Sequence, residues 1–318
     1  MARLWTLLLL AAGTAAQAAY PDKPIRLVVG FPPGGGADYV ARQVAAGLTQ
    51  ALGQSVVVDN KPGANGTTAA AEVARAAPDG YTLLLGVTAT QSIAPVLYPK
   101  LPYDALRDFT PVTEIGFTPM VLVVNPQLPV KSVAEFIRFA SDDANRATYA
   151  SAGIGNITHL AAELFVQSTG AGKILHVPYK GSSPAITDLL GGRISAYFDT
   201  LPSSLPFIQD GKLRALGVTS AARAAALPEV PTIAETGVKN YEAIAWFGVL
   251  GPANLSPEIA QRLYEALHKS LGSGEMKQQL GSRGVDTVLE PPARFRSMLE
   301  ADLARWRRVA ENGRIKLD

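Results

Sequence analysis

The stretch Phe31-Pro32-Pro33-Gly34-Gly35-Gly36-Ala37-Asp38-Tyr39 joins a short apolar run at 25–29 to a helical pattern at about 39–52. Three glycines between a strand and a helix remove side chains where a ligand would touch backbone. The first turn of a helix carries unpaired N–H groups and a partial positive charge, so such a junction suits an anion. A second junction follows the same plan, with 148–150 as the strand and Ser151-Ala152-Gly153-Ile154-Gly155-Asn156 as the loop before a helix. Two such junctions, set as facing anion cradles, suggest capture of a small acidic molecule.

The rest of the pattern agrees. Apolar runs at 25–29, 56–59 and 82–86 do not alternate with polar residues, as expected of strands buried on both faces. Helical stretches at about 39–52 and 67–76 separate them, the second after the turn Pro62-Gly63-Ala64-Asn65-Gly66. A second αβ series is predicted from strands at 120–124, 148–150, 174–177, 194–199 and 213–218. Its helices fall at 133–141, from about 156 to 169, and from 183. After Tyr241 a strand-like run at 244–250 precedes terminal helices. One carries Ile259, Leu263, Leu267 and Leu271 on a single face, the other Phe295, Leu299, Leu303, Trp306 and Val309. Two α/β lobes are expected, connected by crossovers near 113–121 and 241–250, a plan that suits a hinge.

Export is read from residues 1–18. Arg3 supplies the positive start, 4–12 the apolar core, and Ala16-Gln17-Ala18 a small-x-small cleavage site. The formal net charge is +2, falling to +1 without Arg3, so neither nucleic acid nor a membrane surface is implied as a partner. There is no cysteine, so the core alone must hold the exported chain, and no lipid-anchoring thiol is present. Enzyme chemistry finds little support. The chain has three histidines, no Gly-x-Ser-x-Gly elbow, no Gly-Lys-Ser/Thr phosphate loop, and a Gly153-x-Gly155 that stops short of a dinucleotide fingerprint. His159 and Glu163 stand one helical turn apart, which reads as a helix-face contact, because two potential ligands do not make a metal site.

Several motifs occur together in register. They are Tyr20-Pro-x-Lys23-Pro24-Ile25, the 31–38 loop, Asn60-x-Pro62-Gly63-Ala64-x-Gly66, Pro78-Asp79-Gly80-Tyr81-Thr82-Leu83, and Leu101-Pro102-Tyr103-Asp104 with Asp108-Phe109. Ser151-Ala152-Gly153-x-Gly155, His159 and His176-Val177-Pro178-Tyr179-Lys180-Gly181 follow. With these the whole mature chain resembles the Bordetella uptake gene family, the extracytoplasmic solute-binding proteins of tripartite tricarboxylate transporters. The resemblance implies an α/β type II periplasmic-binding-protein fold, two lobes with a hinge and an interlobe ligand cleft. Lobe 1 would comprise 19–121 with 243–318 returning to it, and lobe 2 would comprise 122–242. It also implies a periplasmic monomer without cofactor or metal, not an enzyme, that binds a di- or tricarboxylate, acidic amino acid or aromatic acid. The carboxylate would pass to a membrane permease. A sensor protein is an alternative partner, and a carboxylate-dependent glycoside hydrolase an alternative activity. The family often has a hydroxyl residue at the third loop position, where this chain has Gly36.

Carried over, Phe31, Gly35, Gly36 and Asp38 belong to the first-lobe wall, and Ser151, Gly153, Gly155 and Asn156 to the wall opposing it. Thr88, Thr90 and Ser92, just after the third strand, offer hydroxyls to the same cleft. Asp38 reads equally as a helix cap or as a cleft residue. Asp199 is a candidate for an amine or hydroxyl of the ligand, or a turn residue before Ser203. Tyr179 lines the cleft or packs between helices, Lys180 is a solvated charge near the mouth, and Trp246 and Phe247 pack the crossover or flank the ligand. Neither 31–39 nor 151–159 contains Lys or Arg, so backbone N–H groups, hydroxyls and water are expected to hold the anion.

Overall fold

The computed structural model describes residues 20–34, 36–172 and 174–315; the expected leader at 1–18 and Gly35 lie outside the described residues. The first αβ series consists of β1 (Ile25–Val29), α1 (Gly36–Leu52), β2 (Val56–Asn60), α2 (Thr67–Ala74) and β3 (Thr82–Val87). β1 lies between β2 and β3 and is parallel to both. Leu27, Val28, Val29, Leu83 and Leu84 are fully enclosed, which is why β1 and β3 show continuous rather than alternating apolar sequence. β2, by contrast, is an edge strand with Val57 exposed, against the expectation of burial on both faces. α1 turns Val40, Val44 and Leu48, spaced four apart, into the same core.

Beyond β3 a π-helical turn (Ala89–Ile93) leads into α3 (Ala94–Leu97) and then β4 (Phe109–Val124). The second series comprises α4 (Val133–Ser141), β5 (Thr148–Ser151), α5 (Ile157–Thr169), β6 (Leu175–Pro178), α6 (Ser182–Leu190), β7 (Ala196–Thr200), α7 (Leu201–Gln209) and β8 (Arg214–Val218). β5 is parallel to β6 and β7. The chain ends with β9 (Ile244–Pro252), α8 (Pro257–Leu271), α9 (Gly274–Gly281), β10 (Asp286–Glu290) and α10 (Pro292–Gly313). Side-chain caps fix several helix starts: Ser132 accepts from Glu135 N–H, Asn156 from Thr158, Ser256 from Ile259 and Ser273 from Met276.

The strand order is β2-β1-β3-β9-β4-β7-β5-β6, with β10 and β8 also paired to β4. Three further features depart from the sequence expectation. Strand–helix alternation argues for parallel sheets, but the sheet is mixed, because β9 runs antiparallel to β3 and β4, and β4 antiparallel to β7 and β8. The segment at 113–121 is the middle of one long strand, which pairs with β9 as far as Pro119 and with β7 from Met120 onward. In α10, Asp302 occupies the buried stripe with Phe295, Leu299, Trp306 and Val309, while Leu303 is only half-buried.

Thr219 joins the two crossover segments. Its hydroxyl accepts from Met120 N–H (2.7 Å) and donates to the Ala243 carbonyl, and its own carbonyl accepts from Ala243 N–H (2.9 Å). α10 spans both strand sets. Phe295 and Leu299 pack with Val28, Leu84 and Trp246, whereas Trp306 and Val309 pack with Phe165, Phe198 and Tyr241. Among the described residues no helix is long and apolar enough to cross a membrane.

Candidate functional site

The loops that follow β1, β2 and β3 converge at the carboxyl edge of the parallel strands, where open α/β sheets place ligands. A Cβ on Gly30 would lie 2.6 Å from Gly66 Cα. One on Gly66, itself at φ +89°, would lie 2.7 Å from Thr90 Cγ2 and 3.1 Å from Phe31 Cε2. Two backbones thus meet at a distance only glycine permits, and Phe31 and Thr90 come to the same point.

Asp38 organises this first wall. Its carboxylate accepts from Gly34 N–H (3.0 Å), from Asn60 Nδ2 (3.0 Å), and through both oxygens from Arg42 (2.9 and 3.1 Å). Asn60 Nδ2 also donates to the Phe31 carbonyl at 3.0 Å. Burial would raise the Asp38 carboxyl, but Arg42, the Gly34 N–H and Asn60 outweigh it and hold the group below the usual carboxylate range. The side chain therefore folds the glycine loop back on the helix start and takes up the Gly34 N–H. Arg42 was not singled out from sequence, although its i, i+4 spacing from Asp38 marks it; Asn60 was quoted only within the 60–66 motif, and its bond to Asp38, 22 residues away, is tertiary.

Thr88, Thr90 and Ser92 are all buried, and the hydroxyls of Thr88 and Thr90 serve the scaffold. Thr88 Oγ1 accepts Trp246 N–H at 2.9 Å, tying β3 to β9. Thr90 Oγ1 closes back on its own turn, donating to the Val87 carbonyl at 3.1 Å. Ser92 Oγ is buried and has no hydrogen-bond partner among the described residues. Trp246 is fully enclosed, packs edge-on against Phe295 at 5.5 Å and donates its indole N–H to Asp302 at 2.7 Å. It packs the crossover rather than presenting itself to a ligand.

The loops after β5, β6 and β7 converge in the same way. Gly181 N–H donates to the Ala152 carbonyl (3.1 Å), and Ser182 Oγ donates to Asp199 Oδ1 (2.8 Å). Within 151–156 most N–H groups already have acceptors. Ala152 donates to Thr158 Oγ1 (2.9 Å), Gly153 to Ser151 Oγ (3.2 Å), Gly155 to His159 Nδ1 (3.2 Å), and Asn156 to the Gly153 carbonyl (3.2 Å). Asn156 caps α5, its Oδ1 accepting from Thr158 N–H at 3.1 Å.

Asp199 is fully buried and accepts from Ser182 and from Ser204 Oγ (2.7 Å). Burial pushes its carboxyl up to about 6, against the opposing pull of these hydroxyls. It anchors the starts of α6 and α7 to the end of β7. Tyr179 is half-buried and its hydroxyl donates to Asp188 Oδ2 at 2.7 Å, which commits it to packing on α6; Lys180 is exposed. His159 and Glu163 make the expected helix-face contact, 3.8 Å between Nε2 and Oε1. Among the described residues no group of three or more His, Cys, Asp or Glu side chains could hold a metal ion.

Comparison with known proteins places this geometry. Protein BugT of Bordetella pertussis is 38% identical over 310 residues, spanning 96% of this chain and 95% of that protein. The structure of the R. palustris protein Rpa4515 with adipate superposes with a TM-score of 0.85 at 38% identity, covering 93% of this chain and 99% of the other. MatC from Rhodopseudomonas palustris with bound malate gives a TM-score of 0.80 at 30% identity, covering 91% and 99%. The α/β periplasmic-binding-protein fold expected from the motifs is the fold shared with these proteins. Residues 40–314 match the family described as the tripartite tricarboxylate transporter family receptor. The chain belongs to that family.

Proposed function

We propose that the protein is a periplasmic receptor that captures a small carboxylate between two lobes and delivers it unchanged to the permease of a tripartite transporter. The observation that carries this reading is the full-length likeness, at 38% identity, to a protein whose structure contains adipate. In the proposed mechanism residues 19–121 with 243–318 form one lobe and 122–242 the other. β4 and the segment before β9 act as the hinge, and the 31–38 and 151–156 loops are the two walls. The carboxylate enters the open cleft, takes hydrogen bonds from both walls and so favours the closed state. Charge-assisted hydrogen bonds contribute roughly 1.5–3 kcal/mol each, so three or four of them support binding at about micromolar strength after ordering costs. Asp38, with four donors, and Asp199, held by Ser182 and Ser204, set the walls and leave the ligand to the backbone and water. The family's solute-binding role implies no turnover.

A ligand that binds only the folded protein raises its melting temperature. A thermal-shift screen of the mature chain against straight-chain dicarboxylates, hydroxy acids, acidic amino acids and aromatic acids is expected to give at least one clear stabiliser, recovered intact afterwards. A flat response across the panel contradicts the reading, as does conversion of the stabilising acid. Mass spectrometry of periplasmic protein is expected to show a chain beginning at Ala19; retention of the 4–10 apolar run contradicts export by cleavage.

A further inference from the structure

Behind the second wall lies a cluster that the roles above leave unexplained. Tyr149 of β5, His176 of β6 and His159 of α5 form a near-parallel stack. Ring centroids are 4.8 Å apart for Tyr149–His176 and 4.0 Å for His159–His176, with the planes tilted by 12° and 7°. Each imidazole is tied to one glycine of the 151–156 loop. His159 Nδ1 accepts the Gly155 N–H directly. His176 Nε2 lies 2.7 Å from Ser151 Oγ, which in turn accepts the Gly153 N–H. Ser151 is fully buried, so donating its hydroxyl proton to His176 Nε2 avoids an orphaned O–H.

This arrangement needs both rings neutral, with opposite tautomers: N–H on Nε2 in His159 and on Nδ1 in His176. The surroundings favour that state. Burial, and then His176 beside it, pushes His159 down to about 3, and burial pushes His176 down to about 4. The other titratable groups packed against the pair are Tyr149, whose hydroxyl donates to Glu163, and Glu163 itself, 3.8 Å from His159 Nε2.

With Gly153 and Gly155 drawn inward, the N–H between them is left. Among the described residues Ile154 N–H has no protein acceptor, and the Ile154 side chain is 53% exposed on a wall of otherwise small or polar residues. We propose that His159 and His176 are positioning residues for ligand capture: the stacked pair turns the Gly153 and Gly155 N–H groups away from the cleft, so that Ile154 offers its backbone N–H to a carboxylate and its side chain to an apolar stem. The ligand half of this proposal rests on the carboxylate-capture reading; the tautomers and loop orientation do not. A diacid with methylenes between its carboxylates fits this wall better than a hydroxylated one.

Two measurements test it. In the ligand-free protein at pH 7, 15N NMR is expected to show the Nε2–H tautomer for His159 and the Nδ1–H tautomer for His176. Gly153 and Gly155 amides should exchange slowly and the Ile154 amide fast. Opposite tautomers, or a protected Ile154 amide, overturn the placement whatever the ligand. The second measurement is calorimetric titration with adipate and malate. His159→Asn and His176→Gln keep an acceptor near the imidazole nitrogen, and should bind adipate within about threefold of the parent protein. His159→Phe and His176→Phe keep a ring without an acceptor, and should bind at least tenfold more weakly while keeping native circular dichroism. Ile154→Ser should weaken adipate more than malate. Phe variants that bind like the parent protein overturn the proposal, as do acceptor variants that fail as badly as the Phe variants. A parent protein that binds neither acid, but shows the expected tautomers, fails the ligand reading and not the loop geometry.

Discussion

Asp38 accepts from the Gly34 N–H, the Asn60 amide and both donors of Arg42 at the start of α1. Asp38→Ala leaves the Gly34 and Asn60 donors without their acceptor and is expected to cost roughly 1–3 kcal/mol in urea unfolding, whereas Asp38→Asn retains part of it. Buried titrating groups give stability a pH dependence of both signs. His159 and His176 lie below their ordinary value of 6.5, so their contribution is complete above about pH 6.5 and is lost as pH falls toward 4. Burial, with Glu290 and Asp302 nearby, pushes Glu114 up to about 7. Its contribution is complete below 4.5 and lost as pH rises through 7. Glu114→Gln is therefore expected to gain about 2–3 kcal/mol relative to the parent protein at pH 8 compared with pH 4.5. Equal effects at both pH values would show that Glu114 is not held protonated. From sequence the glycine loops and their flanking residues were legible, because local turn chemistry writes itself into composition. The pairings of Asp38 with Asn60, Asp199 with Ser182 and His159 with His176 were not, because these residues, 17 to 22 positions apart, arrive through tertiary contacts.

At the scale of elements, β1, β2, β3 and the parallel strands of the second series were readable as apolar runs between helical periods. β4 was not readable as one strand, because Pro111, Gly116 and Pro119 punctuate it. The fold accommodates Pro111 beside a register shift, and Pro119 where the strand changes from one set of partners to the other. Asp302 likewise breaks the apolar stripe of α10 and is accepted there because Trp246 supplies an indole N–H. Thr219 sits in a plain Val-Thr-Ser sequence, yet bonds to Met120 and Ala243 and so laces both crossover segments. Thr219→Val keeps the shape and removes the hydroxyl, so roughly 1–3 kcal/mol should be lost, measured by denaturant unfolding. Loss below 0.5 kcal/mol would contradict that role. Gly30→Ala places a methyl against Gly66 Cα at 2.6 Å. Its expected cost is also about 1–3 kcal/mol, together with weakened ligand capture as the β1 and β2 loops are pushed apart.

For the molecule as a whole, two series of αβ units share β4 and are bridged again by β9's leading segment and by α10. The two-crossover plan came from the chain leaving and rejoining the first series. The third link, α10, was hidden because an amphipathic stripe says that a face is buried without saying against which core. In the proposed clamp, closure would bend β4 near Pro119 and Met120 and the chain at Thr219, with α10 following. The proposed function requires that a small carboxylate be held between the two walls and draw them together. Small-angle scattering of the mature protein, titrated with a diacid that stabilises it thermally, tests this most directly. The radius of gyration is expected to fall to a plateau, with a midpoint matching the calorimetric affinity. A radius of gyration that stays constant while calorimetry reports saturation would contradict capture by closure.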